Sequence, residues 1–398
     1  MHLAIVSPYP PNITGIGQYG YHISRLLAQS GVFERITILT GESTAAQPVV
    51  TIPPIQIKYA WHPESIASGW RIASSLKQIR PDVVWFNLGV SVFGRSPLAN
   101  LSGFLSPFLV QRMGFPSILT LHELIELVDL RALKSPGGFL APYGARLLTR
   151  MALQADVICL TMRYYLDWMS EHHNHKQYVH IPIGAYYQPE MLHENSSREL
   201  LFFSTLAPFK GVEVLLQAFR ALQRDYPDLR LTIAGADHAR FPGYSQALRQ
   251  TFGVLDGIRW LGQVPEDSVR ELFAQAQIVI LPYTASTGSS SVLYQAAMWG
   301  RAVISSDLLE TRAAVIENDL RVAFFENGKV DSLMSALKTL FDSPDQRRKL
   351  VEHNFRVIQR FRPEHACSAY LNAFNLALET HRAPKRIPIP AQTTPESL

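Results

Sequence analysis

The sequences LAIV at positions 3–6 and TGIGQ at positions 14–18 decide the fold that this chain adopts. The first is a short apolar run that ends among prolines, as a buried parallel strand does. The second is a glycine-bearing loop. A helical pattern with one apolar face follows it from Tyr19 to Leu27 and stops at Gly31. A strand, a glycine loop and a helix in this order predict the opening unit of an α/β domain with a parallel sheet.

The same alternation continues along the first half of the chain. Strand-like runs recur at Ile36–Leu39, Val83–Phe86, Ser117–Leu121 and Val157–Leu160, with helical stretches between some of them. Uncharged strands that alternate with helices indicate a doubly wound parallel sheet. We therefore predict a Rossmann-like N-terminal domain over residues 1–184.

The character of the sequence changes after this domain, because Pro189–Arg198 is polar and irregular. We interpret residues 185–199 as a linker to a second Rossmann-like domain over residues 200–362, with ligands bound in the cleft beyond the carboxyl ends of the strands. A helix over residues 363–382 and a disordered, proline-rich tail over residues 383–398 complete the prediction. The predicted elements of the second domain are strands Leu200–Ser204, Arg230–Ala234, Ile258–Leu261, Ile278–Leu281 and Ala302–Ser305, and helices Val212–Asp225, Gly243–Phe252, Asp267–Gln275 and Ser289–Trp299.

The composition of the 398 residues excludes several classes of protein. With 47% hydrophobic and only 18% charged residues, the chain can form a large core, which excludes a disordered protein and a small disulfide scaffold. A net charge of +4 is too small to indicate a nucleic acid partner. Cys159 and Cys367 form no zinc or disulfide pattern, and no run reaches the ~20 apolar residues of a membrane span. We expect a cytoplasmic protein, and peripheral contact with the inner face of the membrane stays open.

Two glycine-containing segments are candidates for binding a phosphate or a sugar. In TGIGQ, Gly15 and Gly17 let backbone N–H groups approach an anion at a helix N-terminus, although a tight turn with positive φ explains the glycines equally well. Lys210 stands between Phe209 and Gly211, after a strand and before a helix, where an ammonium group suits a diphosphate. A solvated surface lysine is the alternative.

A third candidate is the loop from Pro282 to Ser291, which leads into an apolar helix. Backbone N–H groups at a helix N-terminus, together with several hydroxyls, suit one anion, and the alternative is an ordinary N-cap with extra serines. So many small hydroxyl residues before a buried helix favour binding. The residues expected to act there are Thr287, Gly288, Ser289, Ser290 and Ser291.

His122 follows the apolar strand Ser117–Leu121 and would meet a ligand at the carboxyl end of the sheet. A core histidine that a neighbour satisfies is the alternative. Other titratable residues form clusters without further metal-ligand spacing, so we interpret them as solvated and expect no metal and no cofactor. These clusters are the histidines at 172, 173, 175 and 180 and the acidic residues Glu123, Glu126 and Asp129.

The segment Leu98–Phe115 is rich in leucine and phenylalanine. Arg95 and Arg112 carry the only formal charges between Leu88 and Leu121. Three interpretations stay open: an apolar acceptor site, a membrane-facing surface whose arginines meet lipid phosphates, and a buried helix pair.

Taken together, these segments resemble the retaining nucleotide-sugar glycosyltransferases of the GT-B fold, family 4, over nearly the whole chain. TGIG at 14–17 is similar to the family's glycine loop, and LTLHE at 119–123 resembles its strand ending in His-Asp. IPIGA at 181–185 resembles the hinge entry, and STLAPFKG at 204–211 resembles Gly-Arg-Leu, three residues and Lys-Gly. The stretch at 360–378 resembles the final helix that crosses back to the N-terminal domain. The resemblance implies two Rossmann-like domains facing a cleft.

Three of the family's four signature charges are absent from this chain. Thr205 stands in place of an arginine, and Thr287 and Gln295 stand in place of two glutamates eight positions apart. Only Lys210 is kept, so the charge summed over these four positions changes from zero to plus one. A glutamine carbonyl still accepts hydrogen bonds from ribose hydroxyls, without charge assistance, and a lone lysine still holds a diphosphate.

The resemblance implies a transferase of polysaccharide biosynthesis. It would move a hexose from a nucleotide diphosphate sugar, GDP-mannose or UDP-glucose, to a hydroxyl of a glycan or lipid-linked precursor, with retention and without a metal. The alternative is a catalytically weak partner subunit of a glycan-assembly complex. The absent charges favour it, and the retained His122, Lys210, Gly15 and Gly17 oppose it. The catalytic residues are expected to be His122 and Lys210, and the donor-binding residues Gly15, Gly17, Thr205, Lys210, Thr287, Gly288, Ser289, Ser290, Ser291 and Gln295.

Overall fold

The computed structural model describes residues 1–11, 14–42, 51–127, 141–174, 177–253, 255–285 and 288–381. Among them are two compact units. The first consists of residues 1–126, 141–182 and 363–381, and the second of residues 183–362. The tail expected over residues 383–398 lies outside the described residues.

The first unit is a doubly wound parallel sheet. Its seven described strands are ordered β3-β2-β1-β4-β5-β6-β7, and every neighbouring pair is parallel. The central strands are buried along their length because helices cover both faces of such a sheet. The strands are β1 His2–Val6, β2 Arg35–Gly41, β3 Ile55–Trp61, β4 Val83–Leu88, β5 Ser117–Leu121, β6 Val157–Leu160 and β7 Tyr178–His180; the helices are α1 Gly15–Gln29, α2 Ser68–Ile79, α3 Pro97–Phe104, α4 Ser106–Arg112, α5 Ala141–Ala152 and α6 Arg163–His172.

Strand β3 is absent from the sequence prediction. It lies at the edge of the sheet, and its central residues are partly exposed. An edge strand of this kind mixes apolar residues with Gln56 and Lys58, so it lacks the continuous apolar run that marks the buried strands.

A C-terminal helix over Pro363–Thr380 completes the first unit. It packs on α1 and on strands β4, β5 and β6. The ring of Phe374 meets Phe33 edge-on at 5.8 Å between centroids, and the Tyr370 hydroxyl lies 2.9 Å from that of Tyr19. Residues at the end of the chain thus form part of the core of the N-terminal domain.

The second unit is also a parallel α/β sheet, with its six described strands in the order β10-β9-β8-β11-β12-β13. The predicted helix from Val212 begins at that residue and ends three residues early, at Leu222. The strands are β8 Glu199–Phe203, β9 Arg230–Ala234, β10 Ile258–Gly262, β11 Ile278–Leu281, β12 Ala302–Ser306 and β13 Ala323–Phe325; the helices are α7 Val212–Leu222, α8 Tyr244–Phe252, α9 Val269–Gln275, α10 Ser291–Met298, α11 Leu309–Glu317, α12 Val330–Asp342 and α13 Pro344–Ile358.

Residues 183–198 form neither helix nor strand, but buried Arg301 anchors them to the second unit. The residue is 1% exposed, and its guanidinium donates to five backbone carbonyls, among them those of Leu192, His193 and Phe273. Burial lowers the pKa of Arg301 to about 10, so the group stays charged at neutral pH. All five N–H donors of the guanidinium are used on carbonyls, and two of these bonds hold the backbone at Leu192 and His193 against the second unit.

The apolar segment Leu98–Phe115 folds as the helix pair α3 and α4, which pack against α2. Phe104 and Val110 are buried, whereas Leu98 is largely exposed. The helix-pair interpretation therefore describes most of this segment. Across the described residues, the structure has no helix with the length and apolar character required to span a bilayer.

Candidate functional site

Three polar side chains meet at the carboxyl edge of the first sheet, at the ends of strands β1, β4 and β5, which are neighbours. The Asn87 amide nitrogen donates to Ser7 Oγ and to the carbonyl of Ile16, each at 2.9 Å. Its oxygen lies 2.6 Å from Nε2 of His122. Because the Ile16 carbonyl only accepts, the amide orientation is fixed, and His122 must donate from Nε2. One asparagine therefore links two strand ends and the first turn of α1.

This arrangement sets the protonation state of His122. With Nε2 protonated, Nδ1 carries the lone pair of the neutral ring. Burial lowers the pKa of His122 to about 3, so the imidazole is neutral throughout the physiological range. The ring offers a hydrogen-bond acceptor at Nδ1 rather than a cation.

Buried aromatic rings and hydroxyls pack against His122 and are linked to one another by hydrogen bonds. Tyr19 meets the imidazole edge-on at 4.8 Å between centroids, and its hydroxyl lies 2.9 Å from that of Tyr370. Tyr370 is in turn 2.9 Å from Thr120 Oγ1, which accepts from Trp85 Nε1 at 2.9 Å. The C-terminal helix thereby contributes directly to the packing under the histidine.

The glycines of the TGIGQ loop lie inside the helix rather than in a turn. Both Gly15 and Gly17 belong to α1 and have negative φ, so the alternative of a tight turn is wrong. Thr14 caps the helix by accepting from the Gly17 amide at 2.9 Å. Gly20, which the sequence analysis did not single out, has a clearer steric role: a Cβ there would meet Ser7 Oγ at 2.5 Å and Asn87 Nδ2 at 2.8 Å.

The interpretation of the acidic cluster as solvated is wrong for its two described members. Glu123 is buried and accepts from the Val90 amide at 2.8 Å, which joins the ends of β4 and β5. Glu126 is mostly buried and pairs with His173 at 2.9 Å. Asp129 lies outside the described residues.

The four histidines are likewise not one solvated loop. His172 stacks on Trp168 at 4.2 Å, and burial lowers the pKa of His180, in β7, to about 4. His175 lies outside the described residues. Within the described chain, no three His, Cys, Asp or Glu side chains come together in a way that could hold a metal ion.

In the second unit, the loops after β8 and β11 are joined by their backbones. Lys210 ends a short 3-10 turn that begins at Pro208, and Gly211 follows it with a φ of 66°. A Cβ at Gly211 would collide with the carbonyl oxygen of Pro282. The Phe209 carbonyl accepts from the Thr284 amide at 3.0 Å. Glycine is required here both by conformation and by space.

Lys210 lies on an aromatic surface. Its ammonium nitrogen is 3.9 Å from the ring centroid of Tyr283 and 5.8 Å from that of Phe209. Among the described residues, no carboxylate forms an ion pair with this lysine. The charge is therefore available to an anion at the carboxyl edge of β8 and β11.

The hydroxyl loop lies at the N-terminus of α10, next along the chain from β11. Ser290 occupies the N-cap without a side-chain capping bond, and its Oγ is 3.5 Å from the Tyr283 hydroxyl. Ser289 Oγ is 3.4 Å from the Tyr294 hydroxyl, Gly288 has a φ of 139°, and Ser291 begins the helix. Thr287 lies outside the described residues.

Two further predicted residues lie in the same unit. Gln295 is on α10 and is only 3% exposed, and no described residue hydrogen-bonds its side-chain amide. Thr205 follows β8, between Ser204 and Leu206, which bridges to Asp237 after β9. The structure therefore brings Thr205, Lys210 and the 288–291 loop to the carboxyl edge of one sheet, and Gly15, Gly17 and His122 to that of the other.

Comparison with known proteins finds a family match for most of the second unit. Residues 197–343 match the family described as "Glycosyl transferases group 1". The phosphatidyl-myo-inositol mannosyltransferase of Mycolicibacterium smegmatis is 27% identical over 223 residues, which are 54% of this chain and 53% of that protein. The D-inositol 3-phosphate glycosyltransferase of Streptomyces avermitilis is 25% identical over 46% of this chain and 40% of its own length. The chain thus spans about half the length of the curated relatives it matches.

Solved structures extend the likeness to nearly the whole chain. Sucrose-phosphate synthase from Thermosynechococcus elongatus has a TM-score of 0.70 at 14% identity, covering 96% of this chain and 98% of that one. Anabaena Alr3699/HepE in complex with UDP-glucose has a TM-score of 0.69 at 14% identity, covering 96% and 100%. At 14% identity this structural likeness shows the fold alone, and the predicted GT-B fold is confirmed.

Proposed function

We propose that this chain, whose residues 197–343 match the group 1 glycosyl transferases, transfers a hexose from a nucleotide diphosphate sugar to an acceptor hydroxyl with retention of configuration. The observation that carries the proposal is Lys210, an ammonium group without a carboxylate partner among the described residues. It lies in a backbone-locked loop beside β11, the strand that leads to the hydroxyl-rich N-terminus of α10. This combination suits a diphosphate.

The donor domain would act by stabilising the leaving group. Negative charge accumulates on the nucleotide diphosphate as the bond to the sugar breaks, and a fixed cation with helix N–H groups stabilises that charge in the transition state. Lys210 supplies the cation, and Ser289, Ser290 and Ser291 supply hydroxyls and first-turn amides. Gln295 and Thr205 would hold ribose and phosphate oxygens without charge. We propose that this set works without a metal.

The role proposed for His122 follows from its neutral state. An imidazole whose Nε2–H is committed to Asn87 accepts a hydrogen bond at Nδ1, which suits a hydroxyl of the donor sugar near the reacting carbon. A pKa of about 3 excludes it as a cationic acid at neutral pH. The first turn of α1 would bring the backbone N–H group of Gly15 to the phosphates and the acceptor, and Gly17, whose amide donates to Thr14 Oγ1, would lie beside them.

The first experiment is a thermal-shift series with UDP, GDP, ADP, UDP-glucose and GDP-mannose, with and without EDTA. A ligand that binds only the folded state stabilises it by about 2.7 kcal/mol at a hundredfold excess over Kd. HepE is solved with UDP and with UDP-glucose, and the matched mannosyltransferase carries its sugar in its name, so UDP-glucose and GDP-mannose are the two donors proposed.

The outcomes separate the two functions. A shift with one nucleotide that EDTA leaves unchanged, followed by hexose transfer, supports the transferase. No shift with any nucleotide contradicts it and favours a catalytically weak partner subunit of a glycan-assembly complex. A shift that EDTA abolishes contradicts only the metal-free part.

The acceptor is proposed to be a lipid-linked or polysaccharide precursor, reached from the cytoplasmic face of the membrane. Three large apolar side chains support this: Ile66 and Trp70 are each 72% exposed, and Leu98 is 65% exposed. Ser102 on α3 donates to the Ile66 carbonyl at 2.5 Å, which joins the helix that carries Leu98 to the segment that precedes Trp70. Arg71 is exposed beside them.

Vesicle co-sedimentation tests the membrane part of the proposal. The chain should sediment with vesicles containing anionic lipid, and Trp70→Ser should weaken this binding several-fold because it removes an interfacial aromatic ring. Tyr226→Ser, which changes an aromatic residue in the other unit, serves as the matched control. Equal sedimentation of the wild type and Trp70→Ser would contradict the assignment of this surface.

A further inference from the structure

We infer that Tyr283 is a positioning residue for Lys210, whose ammonium group it holds on its ring face at the place where the diphosphate of the donor binds. This inference rests on the proposed function, because it assigns a task to a second residue of the same site. The sequence analysis did not single out Tyr283.

The geometry of the pair is that of a cation–π contact. Lys210 Nζ is 3.9 Å from the Tyr283 ring centroid, well inside the ~6 Å within which a ring face attracts a cation. Tyr283 is itself 5% exposed, so the ring is a fixed and largely dehydrated surface. Attraction between a cation and a ring is strongest under those conditions.

The backbone keeps the two side chains in register. Gly211 approaches the Pro282 carbonyl so closely that no larger residue fits, and the amides of Thr284 and Ala285 both donate to the Phe209 carbonyl, at 3.0 and 3.3 Å. Lys210 thus lies between Phe209 and Gly211, and Tyr283 lies between Pro282 and Thr284, so both side chains adjoin residues of these backbone contacts. These contacts fix the loop after β8 relative to the loop after β11, and this keeps the Tyr283 ring against the Lys210 ammonium group.

An aromatic ring can orient Lys210 without neutralising its charge, which a carboxylate could not do. A lysine side chain is a flexible four-carbon stem, and leaving it loose would cost rotamer entropy when it binds phosphate. A carboxylate would orient it but would also neutralise it and compete with the diphosphate. The Tyr283 ring orients Lys210 through its quadrupole and leaves the full positive charge for the ligand. Thr205 and Gln295 are also neutral, so neither of them reduces the positive charge that Lys210 offers to the ligand.

The test is calorimetric titration of UDP into the full chain, with a double-mutant cycle. Lys210→Met should weaken UDP binding at least a hundredfold. Tyr283→Leu should weaken it about tenfold, as expected for the loss of one buried cation–π contact. Tyr283→Phe, which keeps the ring face, should stay within twofold of the wild type. In the Lys210→Met background, Tyr283→Leu should have no further effect.

The possible results are distinguishable. Wild-type affinity in Tyr283→Leu, with binding lost in Lys210→Met, overturns the inference and leaves the proposed function intact. An equal loss from Tyr283→Leu in both backgrounds overturns it as well, since the ring would then serve only the fold. Absence of nucleotide binding by the wild type overturns both. Tyr283→Met, which fills the volume without a π face, replaces the leucine variant if that variant is unfolded at the assay temperature.

Discussion

The carboxyl edges of the two sheets are built in different ways. In the first unit, Asn87 and His122 form a largely buried hydrogen-bonded network, and the side chains themselves are fixed. In the second, Gly211 and Pro282 fix the backbone, and Lys210 rests on a ring with its charge available. The first edge thus presents one neutral, oriented group, and the second presents charge and hydroxyls on a rigid loop. Under the proposed function, the first domain would place the sugar and the second would neutralise the diphosphate.

The largest expected effect comes from removing the charge of the second edge. Lys210→Ala should reduce nucleotide affinity at least a hundredfold, because a charge-assisted contact to a diphosphate is lost. Titration calorimetry with UDP and GDP measures it. Lys338→Ala, which removes an exposed lysine paired with Asp225, is the matched control and should bind as the wild type does. Equal affinity in the two variants would show that the donor site lies elsewhere.

The second-largest effect is expected from a substitution that disturbs the close approach of Gly211 to the Pro282 carbonyl. Gly211→Ala should lower the free energy of unfolding by about 2 kcal/mol or more, since the new Cβ meets a strained φ and a carbonyl oxygen. Denaturant unfolding measures the change. Gly144→Ala, in helix α5, where the added Cβ has open space, should instead be neutral or stabilising by up to about 1 kcal/mol. A stable Gly211→Ala protein would mean that the two loops are not locked together.

The neutral network of the first edge predicts a pH dependence. The folded pKa of His122, about 3, lies below the ordinary 6.5, so the unfolded chain binds more protons between these values. Stability should therefore rise with pH across this window, by up to about 1.4 kcal/mol per pH unit for this residue, and stay flat above it. His122→Gln keeps a donor for Asn87 and should reduce the slope. Unfolding curves at pH 4.5, 5.5, 6.5 and 7.5 test this, and an unchanged slope in the variant would contradict the buried neutral histidine.

The smallest expected effect concerns a single hydroxyl. Ser290→Ala should weaken UDP binding about threefold, the size of one neutral hydrogen bond. Ser335→Ala, in helix α12, is the control, since its hydroxyl bonds only the Asp331 carbonyl of its own helix. A loss as large as that of Lys210→Ala would mean that the hydroxyl loop, rather than the lysine, dominates anion binding.

Much of the fold was predictable from the sequence because its signals are local. The apolar runs of β5 and β11 coincide with the predicted strands to the residue, and the helix after Gly211 begins where predicted. Edge strand β3 lacked such a run. At the first edge, His122 was predicted but Asn87 was not, since nothing in WFNL marks the asparagine as the partner of a residue 35 positions away.

At the second edge, too, one residue of the site was predicted from the sequence and its partner was not. Lys210 was predicted from its place between a strand and a helix, whereas Tyr283 was part of a loop noted only for its hydroxyls. The buried positions of Glu123 and Glu126 were predicted wrongly because spacing along a helix does not report which partners the rest of the chain supplies.

By itself, the sequence determined the two runs of strand and helix and the lysine beside a helix, because apolar periodicity and backbone conformation act over a few residues. Only the tertiary structure determined which distant residues these side chains contact. Strand order β1-β4-β5 brings Ser7, Asn87 and His122 together across more than a hundred residues, and the C-terminal helix adds Tyr370 beneath them. Such contacts arise when distant apolar surfaces bury one another, and no local pattern records which surfaces those are.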